Sequence, residues 1–200
     1  MKNITGIEIS AVIHGMKVNN SDRETMSVML HDVVFDNQKA IYGLVNLGHI
    51  GPASALLRVL FEAHVKGIWL YSCATDEQIS QFKKDSVKSE INPKWDLKLH
   101  EMIDGIEIKM PHLNGTLRKF KKAHWKGLNS LTHSGVMQFS YEFVDGEMRR
   151  KYSSNLPNTL LDFSERFAIS SLGSVGKIVG SVNIIKCSIK LSNERLGIAI

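Results

Sequence analysis

An all-α, up-and-down bundle of six to seven helices is the fold this sequence predicts, and three observations carry the prediction. Apolar residues recur at helical spacing over most of the chain. One stretch, Ala53 to Ala74, is apolar on nearly every side, as a central helix with neighbours all round should be. Short polar breaks separate the segments, and only 136–152 carries a strand signal. With 43% hydrophobic and 22% charged residues, the 200-residue chain can bury a core as one helical domain, 1–200.

Ile7 to Val18 fits a short helix better than a strand, and Asn19-Asn20-Ser21 breaks it. Ser21-Asp22-Arg23-Glu24 is an S-x-x-E capping signal for a helix running to about Gly48, with apolar positions 26, 29, 30, 33, 34, 41, 44, 45 and 47. Gly51-Pro52 opens the central helix, with proline in its first turn. Thr75-Asp76-Glu77 ends it and caps a short polar helix to about Asp85; Ser86 to Asn92 reads as a loop. Pro93 starts a helix that Gly105 is expected to end. Leu113 to Ser134 reads as a long basic helix closed by Gly135. From Val136 to Tyr152 the alternation around Asp145-Gly146 signals a small β-hairpin, with an ordered loop as the alternative. Leu160 to about Lys190 reads as one last helix, with Ser170, Gly173, Gly176, Gly180 and Ser181 allowing close approach of a neighbour. The tail from Leu191 either docks or frays.

Composition narrows the function classes. The apolar run Ala168 to Ile185 is broken by Ser170, Ser171, Ser174, Lys177, Ser181 and Asn183, so no membrane partner is expected. The first residues do not read as a signal peptide, and a cytoplasmic location is expected. Cys73 and Cys187 are expected to be free, buried thiols. The net charge of +5 and pI of about 9.2 favour an anionic partner such as RNA. Scattered histidines and the absence of H-E-x-x-H or C-x-x-C predict no metal and no cofactor. Ser171 to Ile178 lacks the first glycine and the Ser/Thr of a phosphate-binding loop.

Three groups of residues could carry chemistry. Arg58 and Glu62 lie four apart on one face of the central helix, a face that Val65 and Trp69 continue, so both are expected to be buried and paired. They would serve either as a helix-fixing ion pair or as a site in which Arg58 holds an anion. Lys126, Asn129 and His133 form a polar stripe on the basic helix, with His133 in the last turn, where the helix dipole favours positive charge. Arg118, Lys119, Lys121, Lys122 and Lys126, with Phe120 and Trp125 between them, are either a solvated face or a nucleic-acid surface.

Arg118-x5-His124 resembles the R-x4-6-H motif of HEPN-type helical domains, many of which are metal-independent ribonuclease toxins that act as dimers. The resemblance implies that Arg118 stabilises the scissile phosphate, that His124 moves protons at the 2′-hydroxyl, and that the chain forms a homodimer. A second match to the spacing is Arg58-x5-His64. A wider resemblance rests on Ala55-x-x-Arg58-x-x-x-Glu62-Ala63, Trp69-Leu70, and W-K-x-L-N-x-x-T-H-x-G from Trp125 to Gly135. Over about residues 40 to 185 this is similar to a family of bacterial helical proteins of about 200 residues whose function is unknown. It implies an α-helical fold in which Arg58, Glu62, Asn129 and His133 meet, and it implies no activity. Two expectations follow: a non-enzymatic interaction or regulatory module, or a HEPN-like ribonuclease or RNA-binding protein using Arg118 and His124 or the Arg58, Glu62 and His133 cluster.

Overall fold

A computed structural model describes residues 3–84, 98–133, 135 and 141–197. The chain is an all-α helical bundle. Among the described residues there are eight α-helices: α1 (Ile4–Ile13), α2 (Asp22–Asn46), α3 (Ile50–Ser72), α4 (Asp76–Lys84), α5 (Leu99–Lys109), α6 (Thr116–Thr132), α7 (Leu156–Ile178) and α8 (Val182–Leu196). A 3-10 turn, Pro111–Leu113, links α5 to α6. Strands β1 (Tyr141–Val144) and β2 (Glu147–Arg150) pair antiparallel about Asp145-Gly146, with Val144 opposite Glu147. Asp145 and Gly146 both take positive φ, 52° and 81°, as a two-residue hairpin turn demands. The predicted loop Ser86 to Asn92, the Pro93 start and positions 136–140 lie outside the described residues.

α3 is the centre. It packs on α2, α5, α6 and α7, and Ala53, Leu60, Phe61, Val65 and Leu70 are sealed within it. Ser21 caps α2, its hydroxyl oxygen accepting from the Glu24 amide at 3.2 Å and donating to the Glu24 carboxylate at 2.9 Å. The buried stripe of α2 differs from the predicted one. Met29, Val33 and Leu47 are exposed, while Ser27, His31 and Gln38 are buried beside Val28, Val34, Phe35 and Ile41. Polar residues on the inward stripe masked the period that apolar residues alone would have shown.

Three helix boundaries fall elsewhere. α1 spans Ile4–Ile13 and not Ile7 to Val18. Gly105 does not end α5; it lies inside that helix, which Ile103 and Ile106 anchor in the core as far as Lys109. The last predicted helix is two helices. Gly180 takes φ +65° and Ser181 caps α8, so the chain reverses there. This raises the count above the six to seven expected. The small residues of α7 therefore serve α8 itself. A Cβ on Gly176 would stand 3.0 Å from the Ile185 amide nitrogen, and one on Gly173 would stand 3.0 Å from the Ser188 hydroxyl. Ser188 in turn donates to the Ile169 carbonyl at 3.0 Å. α8 keeps its last turns docked through Leu191 and Ser192. Cys73 and Cys187 are free but only half-buried, and burial raises the pKa of both thiols. No helix among the described residues is long and apolar enough to cross a membrane.

Candidate functional site

Arg58 and Glu62 sit at the rim of the core rather than inside it. The Arg58 Nε donates to Glu62 Oε1 at 2.8 Å, with side-chain exposures of 19% and 29%. One face of α3 changes cover along its length. Trp69 runs beneath α5 near Gly105, whereas Arg58 meets the C-terminal half of α6 and its cap. There the guanidinium donates to Nε2 of His133, and its carbon stands 5.0 Å from the centre of the Trp125 ring. Lys121 stands over the same ring at 5.7 Å. Four side chains from two helices thus close a half-exposed clasp. Asn129 lies on α6 one turn before His133, with its buried Oδ1 unpaired among the described residues.

Because the clasp is solvated, it is worth less than a sealed pair. Arg58→Ala is expected to lower stability by about 1–2 kcal/mol, the sum of a partly exposed ion pair and a cation–π contact. Urea denaturation measures it. A loss above about 4 kcal/mol would belong to a desolvated pair and would contradict this geometry.

The other sequence candidates are dispersed. Arg118 is exposed and turned to α5, where Asp104 lies at 2.7 Å and Glu107 at 3.4 Å. Its hydrogen bond to Asp104 and the Glu107 charge hold its pKa above the usual arginine range. His124 faces the opposite way, half-buried between Phe120 and Phe163 at ring separations of 4.9 and 4.8 Å, and burial lowers its pKa. In α6 a six-residue offset turns the two side chains roughly 120° apart. Lys119, Lys122 and Lys126 are exposed along one stripe, and Lys119 donates to the Asn114 carbonyl at 2.9 Å.

A fully buried polar bridge was not foreseen, although His64 had appeared in the Arg58-x5-His64 match. His31 of α2 and His64 of α3 both turn a Nδ1 to the hydroxyl of Ser171 on α7, at 3.0 and 2.8 Å. All three are sealed, at 0%, 2% and 0% exposure. Serine has one proton to donate, so one ring accepts it and the other must present Nδ1–H. The two imidazoles are therefore opposite tautomers. Burial drives the His31 pKa down to about 3, helped by His64, and that of His64 down to about 4. Gly67 makes the arrangement possible, since a Cβ there would stand 3.0 Å from the His31 ring. Ser27 fixes that crossing by donating to the Gly67 carbonyl at 2.7 Å. The available signal was in the pattern: His31 falls three residues after Val28 and three before Val34 on one helical stripe.

Two cavities flank this bridge. The larger, about 800 Å³, lies between α6, α7, α8 and the 3-10 turn, and is lined by His64, Phe120, Phe163 and Phe167 among others. The smaller, about 340 Å³, is lined by His31 and shares Ile68, His112, Leu113, Ser170 and Ser188 with the first.

These features define a helical bundle with a polar bridge in its core and a charged clasp at its rim. Residues 31–192 match the model of a family of unknown function, DUF6988, and the chain belongs to that family. The match spans all three members of the bridge and all four of the clasp. No curated protein and no solved structure matches the chain.

Proposed function

We propose that this protein is a non-enzymatic interaction module of regulatory type, working as a single helical domain. Its Arg58, Glu62 and His133 clasp fixes α6 on α3, and the basic face of α6 draws in an anionic partner. The observation that supports this most is that the arginines of both R-x5-H matches are already ion-paired. Arg58 is held by Glu62, His133 and Trp125, and Arg118 by Asp104 and Glu107. Stabilising a phosphoryl transition state requires a cation free to meet charge as it develops. Lys122 and Lys126 differ, being exposed and meeting no carboxylate among the described residues. Trp125 has cations near its ring from two directions, which disfavours it as a base-stacking platform.

The rival reading is a HEPN-like ribonuclease. A labelled single-stranded RNA incubated with the purified chain separates the two. Expected are no cleavage, and salt-dependent binding that the Lys122→Glu, Lys126→Glu double variant weakens by about tenfold at low salt. Cleavage that His133→Ala or His124→Ala abolishes would overturn the proposal.

A further inference from the structure

We infer that the 800 Å³ cavity between α6, α7 and α8 binds a small amphipathic anion, an apolar aromatic or acyl body carrying one carboxylate or related head. Its volume lies in the range of small-molecule pockets, roughly 300–1,000 Å³, which are mostly apolar with a few convergent polar groups. The apolar wall is an aromatic cluster. Phe120 lies 4.8 Å from both Phe163 and Phe167, so the three rings form one packed wall. The polar wall is one-sided in charge. Lys119, Arg166 and three histidines line the cavity, and among the described residues no Asp or Glu does.

Each polar group has capacity left. Arg166 gives its Nε to Asp162 at 2.8 Å, which leaves its terminal nitrogens for a second anion. Among the described residues, Lys119 is engaged by the Asn114 carbonyl alone. His64 gives Nδ1 to Ser171, which leaves Nε2 to meet a neutral polar group of a ligand. The adjoining cavity adds an independent sign. His31 lines it, is fully buried, and among the described residues its Nε2 has no partner. An orphaned buried nitrogen costs stability unless something completes it.

The test is a fluorescence titration of the full chain with anilinonaphthalene sulfonate, followed by displacement with dodecanoate and with dodecanol. Saturable one-site binding is expected, with dodecanoate displacing the dye about tenfold better than dodecanol. Ala123 is an exposed lining residue of α6, so Ala123→Trp fills the mouth without entering the core. That variant should weaken dye binding by about tenfold. Ser170→Trp, also exposed and lining the cavity, repeats the blockade from α7 if the first variant melts early. The Lys119→Glu, Arg166→Glu double variant should weaken dodecanoate by about tenfold and dodecanol by less than about twofold. Non-saturating dye binding, equal binding to the blocked variants, or equal displacement by acid and alcohol would overturn it.

Discussion

Acidification from pH 7 towards pH 4 should remove several kcal/mol of stability, and the cause should be His31 and His64. Both rings are held neutral by burial, with pKa lowered from 6.5 to about 3 and about 4. The unfolded chain therefore binds protons below pH 6.5 that the folded chain refuses. Stability is complete above the unfolded value and falls as pH drops below it, by up to about 1.4 kcal/mol per pH unit for each ring. The loss continues until the folded pKa values are reached. No carboxylate among the described residues pairs with either ring to offset it. A small domain holds about 5–15 kcal/mol in total, so the fold should approach unfolding near pH 4. Carboxylates titrate mostly below about pH 5, so the window from 6.5 to 5 isolates the histidines. Urea midpoints across that window should fall steeply, and the His31→Met, His64→Met double variant should flatten the fall. A wild-type stability that stays level between pH 6.5 and 5 would show that the rings protonate in place.

The fold was legible wherever one chain segment carries its own signal. Ser21 announces α2 because its cap needs only residues three apart. α3 announces itself by apolar residues on every side. Gly105 misled because glycine lowers helix propensity by only about 1 kcal/mol, which the burial of Ile103 and Ile106 easily outweighs. The split at Gly180 was hidden because Ser181, a capping residue, was read as one more small contact on a single long helix.

The sites divide in the same way. Arg58 and Glu62 are neighbours on one helix, so their pairing was readable, but how deeply they lie depends on where α6 ends, which no local pattern encodes. The Ser171 bridge joins positions 140 and 107 residues apart, on three helices, and no local pattern links its members. Arg118 and His124 show the converse. Their spacing is a local signal, and only the fold shows that one faces α5 carboxylates and the other α7 aromatics.

Ser171→Ala is expected to be the most damaging small substitution in the protein. The change removes one oxygen and creates almost no void, so packing loss is minor. What it leaves is two buried imidazole nitrogens with no partner, each costing about 1–3 kcal/mol, for a total of roughly 2–6 kcal/mol. Among the described residues His31 already carries an unpaired Nε2 and bonds only Ser171, so its ring would lose that bond. Removing all three polar groups should be far milder, because no orphan remains. The triple variant His31→Met, His64→Met, Ser171→Ala keeps apolar, adaptable side chains beside Gly67 and should be at least about 2 kcal/mol more stable than Ser171→Ala alone. Equilibrium unfolding of the single and triple variants forms the test. If the triple is as weak as the sum of its parts, the network contributes through shape and not through hydrogen bonding. If it recovers as expected, the bridge is not what the core needs in order to pack. Its polar atoms, set against the two cavities, then have to be explained by what enters those cavities.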